Sequence, residues 1–184
     1  SIVSSVFGVF FAIFQHDLKK MLAFHSIENI GIIGIGIGTG LIGTAMHMPI
    51  LTVLGFSGAL LHVANHSLFK SLLFYCAGSV YQQCHTRDVN ELGGLIKKMP
   101  QTALLFLLAS TAICGLPPLN GFISEFLIYK AFFTGLGHDI YTSVLFLAAL
   151  IGLTLTGGLA VFCFTKAFGV VFLGASRSHH TEEA

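Results

Sequence analysis

Apolar residues run almost unbroken along this chain. A helix needs roughly 20 apolar residues to cross a hydrocarbon core. Runs of that order lie at 27–46, 49–81, 101–133 and 141–172, with a shorter one at 1–14. The pattern predicts an all-α integral membrane fold of about five transmembrane helices over residues 1–173, with a polar tail at 174–184. The third and fourth runs exceed what a bilayer requires, so tilt, a break or an extension beyond the membrane is expected.

Composition supports the same class. Of 184 residues, 54% are hydrophobic and only 9% charged, against roughly 25% charged in an average soluble domain. A water-soluble globule cannot be covered by so few charges. A formal net charge of +1 gives no footprint for nucleic acid. Cys76, Cys84, Cys114 and Cys163 show neither zinc-site nor disulfide-framework spacing. Ser1 opens directly on an apolar run with no basic segment before it. The expectation is a piece of a longer chain rather than a signal peptide.

The connections indicate orientation. His16, Asp17, Lys19 and Lys20 lie between the first two runs, Arg87, Asp88, Glu91, Lys97 and Lys98 between the third and fourth, and Arg177 after the last. The alternate connections, near His47 and over 135–140, hold no Lys or Arg. Basic residues mark the cytoplasmic side, which predicts a cytoplasmic C-terminus. Arg87, Asp88 and Glu91 are expected to form a surface ion-pair cluster.

Two motif matches carry no function. Gly38, Gly40 and Gly43 spell G-x-G-x-x-G, but no strand precedes them and no acidic residue follows at the required distance. With Gly31, Gly34 and Gly36 they read as a stripe for close helix packing in lipid. Asn65-His66-Ser67 matches a glycosylation acceptor but lies inside an apolar run.

The chemistry concentrates in two places. In LLHVANHSLFKSLLF, spacing of four puts His62, His66 and Lys70 along one helix face. Lys70 stands roughly 30 Å and 15 Å of helix rise from the two ends of its run, too deep for simple snorkelling. A lysine held there faces a polar path or a charged partner, and two imidazoles beside it can shuttle a proton onward. A purely structural pairing of Lys70 with a carboxylate on a neighbouring helix stays open. His62 and His66 also stand four apart as metal or haem ligands would, but a haem takes ligands from facing helices. His16, His25, His85, His47 and His138 all read as lying near run ends, so no metal or cofactor is expected in this chain.

The second place is STAICGLPPLNGFISEFLIYK, where Gly115, Pro117, Pro118 and Gly121 interrupt an apolar run. Proline lacks an N–H and clashes with the preceding turn. At membrane depth a broken helix is tolerated only in buried protein or along a water-lined cavity, and such breaks mark ion paths in transporters. Glu125 follows within an apolar half-helix, with Asn120 and Ser124 placed to solvate it. An intramembrane Glu is a proton-site candidate, or the structural partner of Lys70 or Lys130. His25, Glu28 and Lys130 are accessory candidates, Glu28 either capping the second helix or feeding protons inward.

QHDLKKMLAFHSIENIGII, LLHVANHSLFKSLLFYCAGSV, TRDVNELGGLIKKMP and GLPPLNGFISEF, in this order, resemble the antiporter-like proton-translocating subunits of complex I and its relatives, from about His16 to Phe172. HSIENIGII and GLPPLNGFISE most resemble the large membrane subunit of hydrogenase 4 and formate hydrogenlyase complexes. The resemblance implies two inverted repeats, of which this chain looks like most of the second. It assigns His62, His66 and Lys70 to a central helix of the repeat, and Glu125 to the broken-helix position where relatives carry Lys or Glu. It also implies a multi-pass subunit of a prokaryotic cytoplasmic membrane. Its implied partners are other membrane subunits and a peripheral redox arm holding iron–sulfur clusters and a nickel–iron site. Electron transfer in those partners would be coupled to proton movement. A sodium/proton antiporter subunit and a proton-inert membrane anchor remain the competing readings.

Overall fold

The computed structural model describes residues 1–177. The end of the expected polar tail, residues 178–184, lies outside the described residues. Six α-helices follow in order: α1 (Ile2–Ile13), α2 (Leu18–Ala45), α3 (Pro49–Cys84), α4 (Pro100–Ile113), α5 (Asn120–Gly135) and α6 (Ile140–Phe172). There is no β-strand element among the described residues, which removes the dinucleotide-fold reading of the glycine motif. By length and composition α2 and α6 are each apolar enough to cross a membrane. Many large apolar side chains, among them Ile30, Leu60, Leu68, Tyr75 and Ile151, point outward and exposed, as expected where lipid or partner helices supply the cover.

One boundary differs from the sequence expectation. The second helix begins at Leu18, not Ile27, because Asp17 Oδ1 caps it, accepting from the N–H groups of Lys19 (2.8 Å) and Lys20 (3.0 Å). The fourth run is broken over the stretch that Gly115, Pro117, Pro118 and Gly121 mark, as expected, and its halves count as two helices, so about five become six. Residues 114–119 separate them: Gly115 adopts φ +63°, the Pro117–Pro118 bond is cis, and neither proline offers an N–H to continue the ladder.

Helix α3 is the axis of the bundle, packing on α2, α4 and α5, while α6 closes against α1, α4 and α5. The glycine stripe of α2 sets the α2–α3 approach. Gly40 and Gly55 face each other so closely that a Cβ on Gly55 would meet the Gly40 backbone nitrogen. A Cβ on Gly36 would stand 2.9 Å from that of Ala59.

The basic connections meet at one end of the bundle. Leu18 N–H donates to Arg87 O (3.0 Å) and Val89 N–H to His16 O (2.8 Å). An ion pair there joins Arg87 to Asp17 of the other connection (3.6 Å). Asp88 accepts from Asn90, and Glu91 from the Thr86 hydroxyl. The four cysteines are free and buried.

Buried apolar side chains form two clusters. One lies toward the basic connections and includes Leu22, Leu73, Phe106 and Phe164; the other lies toward the opposite end and includes Ile35, Leu51, Phe132 and Leu153. Between them every long helix carries polar residues: Glu28 and Asn29 on α2, His62 and Asn65 on α3, Ser124 and Glu125 on α5, Thr156 on α6. A buried polar group without a partner costs several kcal/mol in lipid, so this layer is the part of the fold that packing alone does not explain.

Candidate functional site

Helices α2 and α3 run antiparallel, and two polar contacts fix their register. Lys70 Nζ donates to the Leu22 carbonyl, and His62 Nε2 bonds Asn29 Oδ1 at 3.1 Å. His66 therefore lies level with the turn that carries His25. All three members of the predicted face are present in the interior: His62 and Lys70 are buried and His66 is half-buried, its Nε2 buried without a partner. Lys70 also lies over the Phe74 ring, 5.5 Å from its centroid.

His62 bridges three helices. Asn29 donates its amide N–H to the His25 carbonyl (2.8 Å), which turns its oxygen toward His62, so Nε2 is the donor there. The other ring nitrogen, Nδ1, lies 2.9 Å from Ser124 Oγ on α5. That hydroxyl has one hydrogen and two possible acceptors, His62 Nδ1 and the Gly121 carbonyl (2.9 Å). With His62 neutral, Ser124 donates to Nδ1. With His62 protonated, Nδ1–H donates and the hydroxyl turns to Gly121. The Asn65 amide donates to Ser124 Oγ (3.2 Å) and to the Asn120 carbonyl (2.8 Å), holding Ser124 in either state. The arrangement can take up a proton without leaving a buried group unpaired.

Glu125 is 8% exposed and stands against Gly115 across the break; a Cβ there would lie 2.7 Å from Oε2. The predicted solvation by Asn120 and Ser124 is not what the structure shows. Asn120 is paired with Asn65 and Ser124 with His62 and Asn65, because both side chains turn toward α3 rather than along α5. The structural pairing of Lys70 with Glu125 is likewise absent, since the ammonium is directed to α2.

His25 and Glu28 are placed differently from the sequence expectation. They do not sit at the helix start, because α2 begins at Leu18 and Asp17 already caps it. His25 is wholly buried and Glu28 nearly so, with His25 Nδ1 bonded to Glu28 Oε2. The His25 ring lies on Phe164, 4.5 Å between centroids, and its Nε2 has no partner. Glu28 is within electrostatic reach of Lys70, Glu125 and the thiols of Cys114 and Cys163. Lys130 is exposed and stands apart from this set. Among the described residues no group of three or more His, Cys, Asp or Glu side chains is arranged to hold a metal ion.

Two site residues had no sequence signal that pointed to the site. Asn29 and Asn65 are neutral amides in apolar runs, and their partners are 33 and 55 positions away.

Residues 1–156 match the family model described as NADH:quinone oxidoreductase/Mrp antiporter, TM. The chain belongs to this transmembrane family. It is 45% identical over 185 residues to hydrogenase-4 component B of Escherichia coli K12, covering 99% of this chain and 27% of that protein. It is 44% identical over 183 residues to formate hydrogenlyase subunit 3 of the same organism, covering 99% of this chain and 30% of the relative. The fold superimposes on a chain of the Mrp complex from Dietzia sp. DQ12-45-1b with a TM-score of 0.75 at 20% identity, over 100% of this chain and 33% of the other. The chain thus spans about a quarter to a third of the length of the proteins it matches. The likeness to hydrogenase 4 and formate hydrogenlyase subunits, expected from HSIENIGII and GLPPLNGFISE, is shown by these identities.

Proposed function

We propose that this chain is a proton-translocating segment of a membrane subunit in a hydrogenase 4 or formate hydrogenlyase type complex of a prokaryotic cytoplasmic membrane. One observation carries the reading. A layer of hydrogen-bonded and ionisable side chains crosses α2, α3 and α5 between two apolar clusters, with an ammonium, two imidazoles and two carboxylates inside it. Ionisable groups are costly at that depth, and those with more than one protonation state accommodated are suited to carriage rather than to adhesion.

Each side chain has a role in this reading. Lys70 holds the transferred proton as ammonium and releases it as amine. His62 passes it along the layer, with Ser124 and Asn29 satisfying the ring in both states. Glu125, beside the break, exchanges it with one side of the membrane. Charge changes on one group shift its neighbours because charges interact strongly in a low-dielectric interior. The electrons run through partner subunits with iron–sulfur clusters and a nickel–iron site, and this chain supplies no cofactor. The C-terminus faces the cytoplasm, by the basic residues gathered at that end.

The test replaces Lys70 with Met in the complete subunit within its assembled complex. Proton uptake by membrane vesicles should fall at least about tenfold while electron transfer continues. Undiminished uptake overturns the proposal. Loss of assembly with normal uptake by what remains assigns the subunit to the membrane-anchor reading, and uptake that requires added sodium assigns it to sodium/proton antiport.

A further inference from the structure

The His25–Glu28 pair has a geometry that the relay from His62 to Glu125 does not use. It lies on the side of the polar layer that faces the basic connections. From that end a cavity of about 60 Å³ enters between α2, α6 and the connection after α3, walled in part by Gln15, His16, Met21, Asn90, Cys163 and Lys166. Its volume is room for about two waters. Of its walls, Gln15, His16 and Asn90 are exposed or half-buried, and Met21 and Cys163 are buried. His25 is one helical turn beyond Met21 on the same face of α2, and Phe164, against which its ring lies, follows Cys163. Nε2 of His25 is buried and has no partner. On the far side of the imidazole, Nδ1 bonds Glu28, and Lys70 reaches the carbonyl of Leu22 in the preceding turn.

We propose that this cavity is the inlet through which a proton reaches the layer from the basic-connection side, and that His25 and Glu28 load it onto Lys70. The inference rests on the proton-carrying reading above and names its uptake route. A proton from water in the cavity binds His25 Nε2, forming imidazolium. The Nδ1 proton passes to the Glu28 carboxylate, leaving neutral imidazole and a carboxylic acid. Glu28 gives that proton to the Lys70 amine, restoring the carboxylate and forming ammonium, and tautomeric exchange returns the His25 proton to Nδ1. No proton is created or lost in the cycle. Glu28 is suited to the middle position because its side chain reaches back one turn to His25, and the Leu22 carbonyl that holds Lys70 lies in the turn before that.

The test compares Glu28→Gln, Glu28→Asp, Ala167→Leu and Lys70→Met in the complete subunit, in vesicles with the basic-connection face outward. Ala167 lines the cavity and is buried, so a larger side chain there fills it. Glu28→Gln and Ala167→Leu should each lower initial uptake at least about tenfold in normally assembled complex, and Glu28→Asp should recover a substantial part of it. A structural carboxylate would show no such recovery. Silver ion added to the outer face should bind the Cys163 thiolate, displacing its proton, and lower the protons taken up per electron transferred in wild type but not in Cys163→Ser, a ratio that corrects for silver at the thiolates of the partner subunits. This arm decides the matter if Ala167→Leu does not accumulate. Lys70→Met blocking uptake while Glu28→Gln leaves it intact and silver leaves that ratio unchanged overturns the inlet and leaves the proposed function standing. Full uptake by Lys70→Met overturns both.

Discussion

Gly115 and Glu125 meet across the helix break, ten positions apart in sequence, with no room between them for a single methyl group. Gly115 is in the left-handed region at φ +63°, so an L side chain there carries backbone strain as well as the clash. Gly115→Ala should therefore cost about 1–2 kcal/mol of stability and push the carboxylate from its place. The expected result is a lower thermal midpoint together with reduced proton uptake. A variant with unchanged midpoint and uptake would show that the break does not position Glu125.

Ser124 is the hydroxyl that lets His62 change charge without leaving an unpaired group. Ser124→Ala removes the partner of His62 Nδ1 and one of the two acceptors of the Asn65 amide. Leaving buried groups unsatisfied costs about 1–3 kcal/mol. Uptake should fall in Ser124→Ala and persist in Ser124→Thr, which keeps a hydroxyl. Equal uptake by both variants would remove the serine from the relay.

Lys130 tests whether depth, not charge alone, selects the working lysine. It is exposed on α5, whereas Lys70 is buried and bonded across to α2. Lys130→Ala should leave stability within about 0.5 kcal/mol and uptake near wild type. A loss comparable to that of Lys70→Met would place a second proton site on the outer face of α5.

The residues that announced themselves in the sequence were those out of keeping with an apolar run. Lys70, His62 and Glu125 stand out by polarity, and Pro117 and Pro118 by what they forbid, so the broken helix was legible. The start of α2 was not. Lys19 and Lys20 read as a polar connection and His25 and Glu28 as the start of the next span, because counting charge along a line cannot tell an outward lysine from an inward carboxylate. Once Asp17 caps the helix, the same residues divide between its two sides: Lys20 is exposed and Glu28 buried. The bridging amides Asn29 and Asn65 were silent for another reason. A neutral side chain pays little notice in a hydrophobicity pattern, and its role depends on partners supplied by other helices.

The glycine stripe yields a prediction that separates architecture from transport. Gly55 and Gly40 touch backbone to backbone, so Gly55→Val cannot be accommodated by turning a side chain aside. Overpacking of this kind costs about 3 kcal/mol, and it would wedge α2 away from α3 along the register that joins Lys70 to Leu22 and His62 to Asn29. Gly38, in the same stripe, has no atom within 4 Å of where its Cβ would be. Gly38→Ala should therefore be tolerated, and gain up to about 1 kcal/mol from helix propensity. Thermal unfolding of the purified subunit checks the pair: Gly55→Val should unfold well below wild type and Gly38→Ala at or above it. If the two glycines respond alike, the stripe acts through its general content of small residues and not through the α2–α3 contact.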